Sequence, residues 1–389
     1  MLSILVAAIA ATASCDAGKR HKQQTLGPYI TILGVNVGPN KVLPADGSIQ
    51  IAVDRYLLPS TVNRQSIAIV DSAHQPLPPA LAPVVLYDPI ARTITLSPPT
   101  LPWLTDGLSY TLLMGVPEGD ADQGGIRAID RSPLDPDQKR EFGFLVGPKT
   151  NVPFEPSVSF CRDVLPIFAA KCGLSTCHGT GGRAAASLVL DTSAGVGATA
   201  LNRIAQGSNT GPLSTRPPAG QRHFGIDMPI VDPGNPGNSW LVYKVELAPP
   251  PTSTDQTDKF ACTNGLTEPN VPFVFAPLVP QAQRSAYDID RTILSNYILG
   301  REMPYPTATP GGYGSEPLTF DEREIVRIWI KGLRPGSALP ECGGCGTFTP
   351  PDASVADAAM PDTGAADAGD GGEDGGDADM DAGDAADGD

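Results

Sequence analysis

The sequence contains no concentration of positive charge. Its 27 Lys and Arg residues are outnumbered by 43 Asp and Glu residues, and the net charge is −16. Much of the excess lies at one end, because residues 351–389 carry 13 acidic residues and no basic one. The remaining chain is nearly neutral, with 30 acidic against 27 basic residues. Nucleic-acid-binding proteins present a basic patch or stripe, so the composition argues against that class of protein.

The sequence also lacks the common enzyme motifs. It contains no nucleophile elbow, phosphate-binding P-loop or dinucleotide fingerprint in a suitable setting of strand and helix. Paired carboxylates are abundant only in the tail, residues 350–389, where short near-repeats of Asp, Ala and Gly bury too little apolar surface to order the chain. We therefore predict a disordered acidic tail, and the sequence favours a non-catalytic protein without excluding catalysis.

Long apolar runs are missing as well. The run from Leu2 to Ala11 is too short to cross a bilayer, but it has the length of the apolar region of an export signal. The "TASC" that follows resembles a bacterial lipobox, although no Lys or Arg precedes the run. In that interpretation residues 1–15 are a signal peptide with Cys15 as the lipidated residue, and residues 16–26 are a tether. The protein is then exported to the cell envelope, in the periplasm or at the outer membrane, and only a lipid anchor attaches it to a membrane.

The cysteine count agrees with an oxidising compartment. Seven cysteines are present, and six remain when Cys15 is set aside. Four of the six are candidates for two disulfides. The "CGGC" stretch can close on itself or pair with the two cysteines that lie earlier in the chain, and spacing does not decide between these pairings. The candidates are Cys161, Cys262, Cys342 and Cys345.

Residues 27–148 consist of short runs in which apolar and polar residues alternate. The runs include "SIQIAVD", "TITL", "YTLLMGV" and "FGFLV", and proline and Asp-Gly turns separate them. Alternation with a period of two indicates strands with one buried face, so we predict an antiparallel β-sandwich. The order of these pieces resembles the bacterial Ig-like domains of the SbsA type, which implies a spacer or an adhesive module. His74 stands alone in this region and is interpreted as a solvated side chain.

A linker at residues 149–158 leads to a second predicted domain, residues 159–349. Its first helix lies in "DVLPIFAAKC", where Asp163 is in a position to cap the amino terminus. A second helix is predicted over residues 284–300, with Gly300 at its end.

The last predicted helix has the clearest signals. "TFDEREIVRIWIKG" opens with Thr319 and Glu322 at the spacing of a capping box. Apolar residues at helical spacing, including Trp329, then form one stripe, and the helix is expected to end at Gly332.

The stretch "KCGLSTCHGTG", residues 171–181, carries the most specific chemical signal. A covalent haem needs two thiols for its vinyl groups and a histidine for its iron, usually in the pattern C-x-x-C-H. Here His178 follows Cys177 directly, but Cys172 lies two residues further away than usual. Two alternatives stay open: a zinc site built from these thiols and the "CGGC" cysteines, and a plain Cys172–Cys177 disulfide.

The surroundings of this stretch resemble a class of bacterial single-haem cytochrome c domains that occur in exported multidomain proteins. The shared pieces, in order, are "DVLPIFAAKCGLSTCHGTGG", "SLVLD", "VDPGNPGNSWLVYKV", "REMPYP" and "IWIKG". The resemblance implies a mainly α-helical fold with long loops around one covalently attached haem c. It also implies that the last helix packs near the first helix through its Trp329 stripe. Cys172 and Cys177 would hold the haem, His178 would be the proximal iron ligand and Met303 the distal ligand. Met228 and His223 are the alternative distal ligands.

The function implied by this resemblance is electron transfer at the cell envelope. One haem with both axial positions occupied moves single electrons and leaves no open position for a substrate. Its partners would be redox proteins of the envelope, and the Ig-like domain would act as a spacer. The alternative function is that of a cofactor-free, Ig-containing surface lipoprotein, an adhesin or scaffold, with disulfides in place of haem attachment.

Overall fold

Short strands dominate the first part of the chain, as the alternating pattern predicts. The computed structural model of the protein describes residues 28–115, 124–151, 155–182, 184–205, 228–251, 277–279, 289–298, 302–304 and 316–342. Within these residues the strands are β1 Ile32–Val35, β2 Val42–Pro44, β3 Ile49–Val53, β4 Ile67–Asp71, β5 Val84–Asp88, β6 Thr93–Ser97, β7 Ser109–Met114 and β8 Glu141–Gly147. The predicted signal peptide, tether and acidic tail, including Cys15, lie outside the described residues.

The eight strands form two four-stranded sheets. The first has the order β1-β3-β6-β5, and all its neighbouring strands are antiparallel. The second has the order β2-β8-β7-β4, in which β2 and β8 run parallel while the other pairs are antiparallel. The prediction of a wholly antiparallel arrangement is therefore wrong for one pair. The three residues of β2 add to the edge of β8, and an alternating pattern contains no information about the direction of a partner strand.

The two sheets share one hydrophobic core. Ile51 and Ile94 from the first sheet are fully buried in the same cluster as Ile67, Leu112 and Phe144 from the second. Along β7 the residues between these buried side chains are exposed or partly exposed, as a period of two requires, whereas β6 is buried from Thr93 to Leu96. The alternation seen in the sequence thus identifies the buried face of each of these strands correctly.

In the part of the chain that the structure describes, five α-helices follow the strands. They are α1 Leu165–Lys171, α2 Ser193–Thr199, α3 Trp240–Glu246, α4 Ile289–Ser295 and α5 Phe320–Gly332. Single 3₁₀ turns lie at Pro59–Thr61, Pro79–Leu81, Ala185–Ser187 and Pro236–Asn238. None of the helices in the described part of the chain combines the length and the apolar character needed to cross a membrane.

The first helix begins earlier than predicted. A π-helical turn, Phe160–Val164, precedes α1, and Ser159 is the residue before it. The Asp163 carboxylate accepts a hydrogen bond from the Ser159 backbone N–H at 2.7 Å, and it also pairs with Arg162. Asp163 is therefore not the N-cap. Its side chain reaches back over the turn to satisfy a free backbone N–H, which moves the start of the helix towards Ser159.

The later helices agree better with the sequence pattern. In α5 the Thr319 hydroxyl accepts from the Glu322 N–H, and the Glu322 carboxylate accepts from the Thr319 N–H, so the capping box is confirmed. The predicted end at Gly332 is confirmed too. Helix α4 ends at Ser295, five residues before the predicted end at Gly300. The predicted start at residues 284–288 lies outside the described residues, as do residue 299 and Gly300.

Aromatic side chains join the first and last helices. The Trp329 ring of α5 lies 5.2 Å from the Phe160 ring and 5.8 Å from the Phe168 ring, measured between ring centres. These side chains belong to a core shared by α1, α2, α3 and α5, which we call the helical core. The expected packing of the Trp329 stripe against the first helix is confirmed.

A disulfide fastens the end of the described chain to the start of the helical region. Cys161 is bonded to Cys342 across 181 residues of sequence. This selects one of the pairings that spacing leaves open. Cys262 and Cys345, the other two candidates, lie outside the described residues.

Buried charges connect the β-rich region to the helices. Arg327 of α5 pairs with Asp88 of β5 at 3.0 Å, with Glu324 at 2.6 Å and with Glu155 at 2.8 Å. Glu155 belongs to the predicted linker, and it also pairs with Lys331 at 2.7 Å. Charges removed from water stay stable only when they are paired, so this cluster requires both regions to keep one relative position.

A second buried cluster lies between the same two regions. Arg55, which follows β3, pairs with Asp130 at 3.0 Å and with Asp290 of α4 at 2.9 Å. Tyr56 donates its hydroxyl to Glu246 of α3 at 2.7 Å. With this second cluster, each of α3, α4 and α5 is tied to the β-rich region by a buried polar contact. All described residues belong to one compact unit, whose bounds extend to Phe348.

We expect the Arg327→Ala variant to lose about 3–5 kcal/mol of unfolding free energy, because the variant leaves the buried carboxyl groups of Asp88 and Glu324 without their cation. Glu155 keeps its pairing with Lys331. Denaturant unfolding measures this loss. Arg334→Ala, which removes an exposed arginine just beyond α5, is the matched control and is expected to change little. Equal stability of the two variants would contradict the central role of the Arg327 cluster.

The same cluster predicts a pH dependence. Burial raises the pKa of Glu324 well above its ordinary value of 4.5, and burial also raises the pKa of Asp88, despite the opposing effect of Arg327 on both. The folded chain therefore keeps a proton that the unfolded chain releases, and this contribution lowers stability as the pH rises above about 5. We expect Glu324→Gln to remove the contribution, so that the slope of unfolding free energy between pH 5 and 7.5 becomes less negative. An unchanged slope would show that Glu324 is already ionised in the folded protein.

Candidate functional site

The predicted haem-attachment stretch forms a folded loop between α1 and α2. The His178 N–H donates to the Cys172 carbonyl at 3.0 Å, and the Cys177 N–H donates to the Leu174 carbonyl at 2.8 Å. The Cys177 carbonyl in turn accepts from the Ala185 N–H at 2.7 Å. The two extra residues between the thiols are thus accommodated in a compact turn that brings His178 back to the end of α1.

The His178 ring is held by two backbone carbonyls. Its Nδ1 lies 3.1 Å from the Ala185 oxygen and 3.2 Å from the Leu188 oxygen. Carbonyl oxygens only accept hydrogen bonds, so Nδ1 carries the proton. Burial lowers the pKa of His178 below its usual value, which keeps the ring neutral at neutral pH. In the neutral ring Nε2 then has a free lone pair, which is the state in which imidazole binds a metal.

An unusual backbone conformation determines the positions of the two carbonyls that hold His178. Ala186 and Ser187 lie between them and have φ angles of 53° and 57°. This left-handed region costs a residue with a side chain about 1–2 kcal/mol. Non-glycine residues in such conformations are concentrated at binding and catalytic sites. Sequence reasoning missed this turn because "GGRAAAS" contains no signal for it beyond its small residues.

The two thiols have different environments. Cys172 is 7% exposed and belongs to the helical core, and burial raises the pKa of its thiol to about 12. Cys177 is partly exposed, and its sulfur lies 3.7 Å from the Thr176 hydroxyl. Both cysteines are free, so the structure does not form the alternative Cys172–Cys177 disulfide.

The alternative zinc site lacks one of the thiolates that it would need. Cys342 is bonded to Cys161 and is not available as a thiolate. Across the residues that the structure describes, no group of three or more His, Cys, Asp or Glu side chains is arranged to hold a metal ion. Cys345, the other cysteine of "CGGC", lies beyond these residues.

Glycines allow the loop to fold so tightly. A Cβ atom at Gly179 would collide with the Gly173 carbonyl, and one at Gly182 would collide with the Ser175 carbonyl. A Cβ atom at Gly173 would lie 2.6 Å from the Asp191 Cβ atom. Asp191 also holds the loop by accepting from the Thr180 N–H at 2.7 Å. Asp191 is not among the site residues predicted from the sequence, since a lone Asp after "SLVL" gives no signal that it holds the loop.

The three candidates for a distal ligand are placed differently. Met303 is partly buried, and its N–H donates to the Lys244 carbonyl of α3 at 3.1 Å. Burial lowers the pKa of the same Lys244 to about 8. Met228 is buried and packs in a cluster with Trp240, Tyr243 and other apolar side chains at the junction with the β-rich region. His223 lies outside the described residues.

Comparison with known proteins gives only weak similarities. No known protein family matches the sequence, and no curated protein is significantly similar to it. Solved structures of the bacterial S-layer protein SbsC are weakly similar: the N-terminal part is 14% identical over 35% of this chain and 27% of that chain, with a TM-score of 0.22. The rSbsC(31-844) structure is 14% identical over 35% of this chain and 16% of that chain, with a TM-score of 0.21. This chain thus spans about a quarter or less of those structures, and so weak a likeness carries no argument about its function.

The close backbone contacts in this glycine-rich loop predict how substitutions there change the stability of the protein. We expect Gly179→Ala to destabilise the protein by about 1–3 kcal/mol, because the added methyl group would push apart two backbone segments. The control is Gly197→Ala in α2, where an added Cβ atom meets no neighbour within 4 Å. The control is expected to gain about 0.5–1 kcal/mol from its higher helix propensity. Thermal or denaturant unfolding measures both, and a loss of stability in the control alone would contradict this description of the loop.

Proposed function

We propose that this protein is an electron carrier with one c-type haem, attached within residues 172–178 and ligated by His178. The observation that carries the proposal is the His178 ring itself, which is neutral, with Nδ1 held by two carbonyls and Nε2 free to bind iron. A lone core histidine requires neither this pair of acceptors nor a strained turn to supply them. When bound, the haem iron supplies a one-electron couple.

The residues around His178 fit such a group in three respects. Cys177 is adjacent to His178 and partly exposed, so its sulfur is accessible to a bulky ligand. The glycine-rich loop presents little side-chain bulk. Among the described residues, the Asp191 Oδ1 atom is buried without a hydrogen-bond partner, which leaves a polar group beside the loop for a ligand or water to satisfy.

Met303 is the distal ligand that we propose. Its thioether is a suitable partner for a low-spin iron, and ligation by Met and His raises the reduction potential. Met303 lies outside the helices in a segment held against α3, whereas Met228 is enclosed by large side chains whose packing it completes. Moving the Met228 sulfur to an iron would open a cavity at the junction of the two regions.

We also propose that the β-rich region is an Ig-like sandwich and that the protein is exported to the cell envelope. The two sheets with a common core support the first proposal. The Cys161–Cys342 disulfide supports the second, because structural disulfides persist in oxidising compartments. In this arrangement the electron-carrying part is fixed rigidly to the Ig-like part through the Arg327 and Arg55 clusters.

A second function has one observation in its favour. Cys172 packs in the helical core as a small apolar side chain, which is what a cofactor-free surface lipoprotein, an adhesin or scaffold, would also show. The two functions differ in a simple property. The electron carrier is a coloured protein after maturation, and the scaffold is colourless under the same conditions.

The test uses the full chain expressed together with haem-maturation proteins. We expect covalent haem in a pyridine haemochrome assay and a low-spin spectrum in the visible region. His178→Ala should lose the low-spin spectrum and regain it on addition of imidazole, which a purely structural role of the ring would not produce. His74→Ala, at an exposed histidine, is the control and should keep the parent spectrum.

The distal ligand is tested in the same preparation. Met303→Ala should lose the methionine–iron charge-transfer band, and Met228→Ala should keep that band but unfold more readily. A colourless parent protein from cells that mature a control cytochrome would overturn the proposed function.

A further inference from the structure

We infer that Cys177 alone forms the covalent link to the haem and that Cys172 remains a free thiol inside the helical core. This inference rests on the proposed function and concerns how the two thiols of the motif share the attachment. The usual arrangement uses both thiols, so the structure assigns an asymmetric role to a pair of residues that the sequence presents as equivalent.

The position of Cys172 carries the first part of the argument. Its side chain is enclosed in the helical core together with Phe168, Leu190 and Trp329. A porphyrin is a rigid plate, so its edge reaches a sulfur only where the protein leaves open space beside that sulfur. A vinyl group could reach Cys172 only if these apolar side chains separated, which would expose their surface at roughly 25 cal/mol per Å².

The backbone next to Cys172 carries the second part, because it prevents the side chain from turning outward. The Gly173 N–H donates to the Phe168 carbonyl at 2.6 Å, and the Cys172 N–H donates to the same oxygen at 2.8 Å. On the other side, the Cys172 carbonyl accepts the His178 N–H. Gly173 is packed so closely against Asp191 that no side chain fits there. Rotating this segment would break the end of α1 and release His178 from its position.

Cys177 has none of these restrictions. It lies on the loop, partly exposed, and its sulfur is 3.7 Å from the hydroxyl of its neighbour Thr176. It keeps the position directly before the histidine that the common motif uses. The wider spacing between the thiols therefore has a physical consequence: the extra residues let Cys177 and His178 form the site while Cys172 stays with α1.

The chemistry of a single attachment is complete without any other reagent. The Cys177 thiol adds across one vinyl C=C bond, so that a carbon–sulfur bond forms and the thiol hydrogen moves to the other vinyl carbon. The S–H bond and the π bond are lost, and no oxidant or reductant is consumed. One vinyl group of the porphyrin remains unreacted.

Peptide mapping of the matured full chain tests the inference. The protein is alkylated with iodoacetamide before and after denaturation without reduction, digested, and examined by mass spectrometry. Cleavage after Lys171 and Arg183 leaves both cysteines on one peptide, so fragmentation of that peptide locates each modification. We expect the haem mass on Cys177 and alkylation of Cys172 only after denaturation. The pyridine haemochrome band should also lie at the longer wavelength typical of a haem with one free vinyl group.

Two matched variants complete the experiment. Cys172→Ala should keep covalent haem at close to the parent yield, and Cys177→Ala should lose covalent attachment. If haem-bearing parent protein leaves no Cys172 open to alkylation after denaturation, and fragmentation places the haem on both cysteines, the inference is wrong and the proposed function stands. If no peptide carries haem while a control cytochrome matures in the same cells, the proposed function fails and the inference with it. Because the mapping uses the parent chain, it gives a result even where a variant does not fold.

Discussion

The buried guanidinium of Arg327 is the contact on which the rest of this architecture depends. It pairs with carboxyl groups from three separate parts of the chain: Asp88 of the β-rich region, Glu155 of the predicted linker and Glu324 of its own helix. Since a buried guanidinium cannot be left unpaired away from water, α5 is held at one angle to the sheets. Trp329 on the same helix then positions the first helix through two aromatic contacts.

The geometry of the candidate site depends on this packing. The end of α1 places Cys172 in the helical core, and the loop that follows can return to α1 only through close contacts between glycines and backbone carbonyls. That return brings His178 under the carbonyls of Ala185 and Leu188. The buried charges thus fix the packing of the helices, and that packing fixes the tautomer of the His178 ring. The chemistry of the site depends on each of these steps.

This arrangement changes the role expected of the β-rich region. A spacer joined by a flexible linker lets its neighbour move, but here the linker residue Glu155 contributes to the buried cluster, and Arg55 forms a second buried cluster with α4. The β-rich region thus acts as a fixed support for the helices. For an electron carrier, such a support would hold the site at a constant distance and orientation from whatever surface the β-rich region contacts.

The local pattern of residues was enough to locate β3, β6, β7 and β8, their buried faces and the capping box of α5, because each of these depends on neighbours in sequence. It also marked His178, since adjacency to a cysteine is a local feature. It did not reveal the start of the first helix, where the Asp163 side chain reached back to Ser159, or the parallel pairing of β2 with β8. The difference between Cys172 and Cys177 and the choice of Cys342 as partner for Cys161 depend on packing between segments far apart in sequence. Only the tertiary structure decides them, because burial is a property of the folded chain and not of a residue's neighbours.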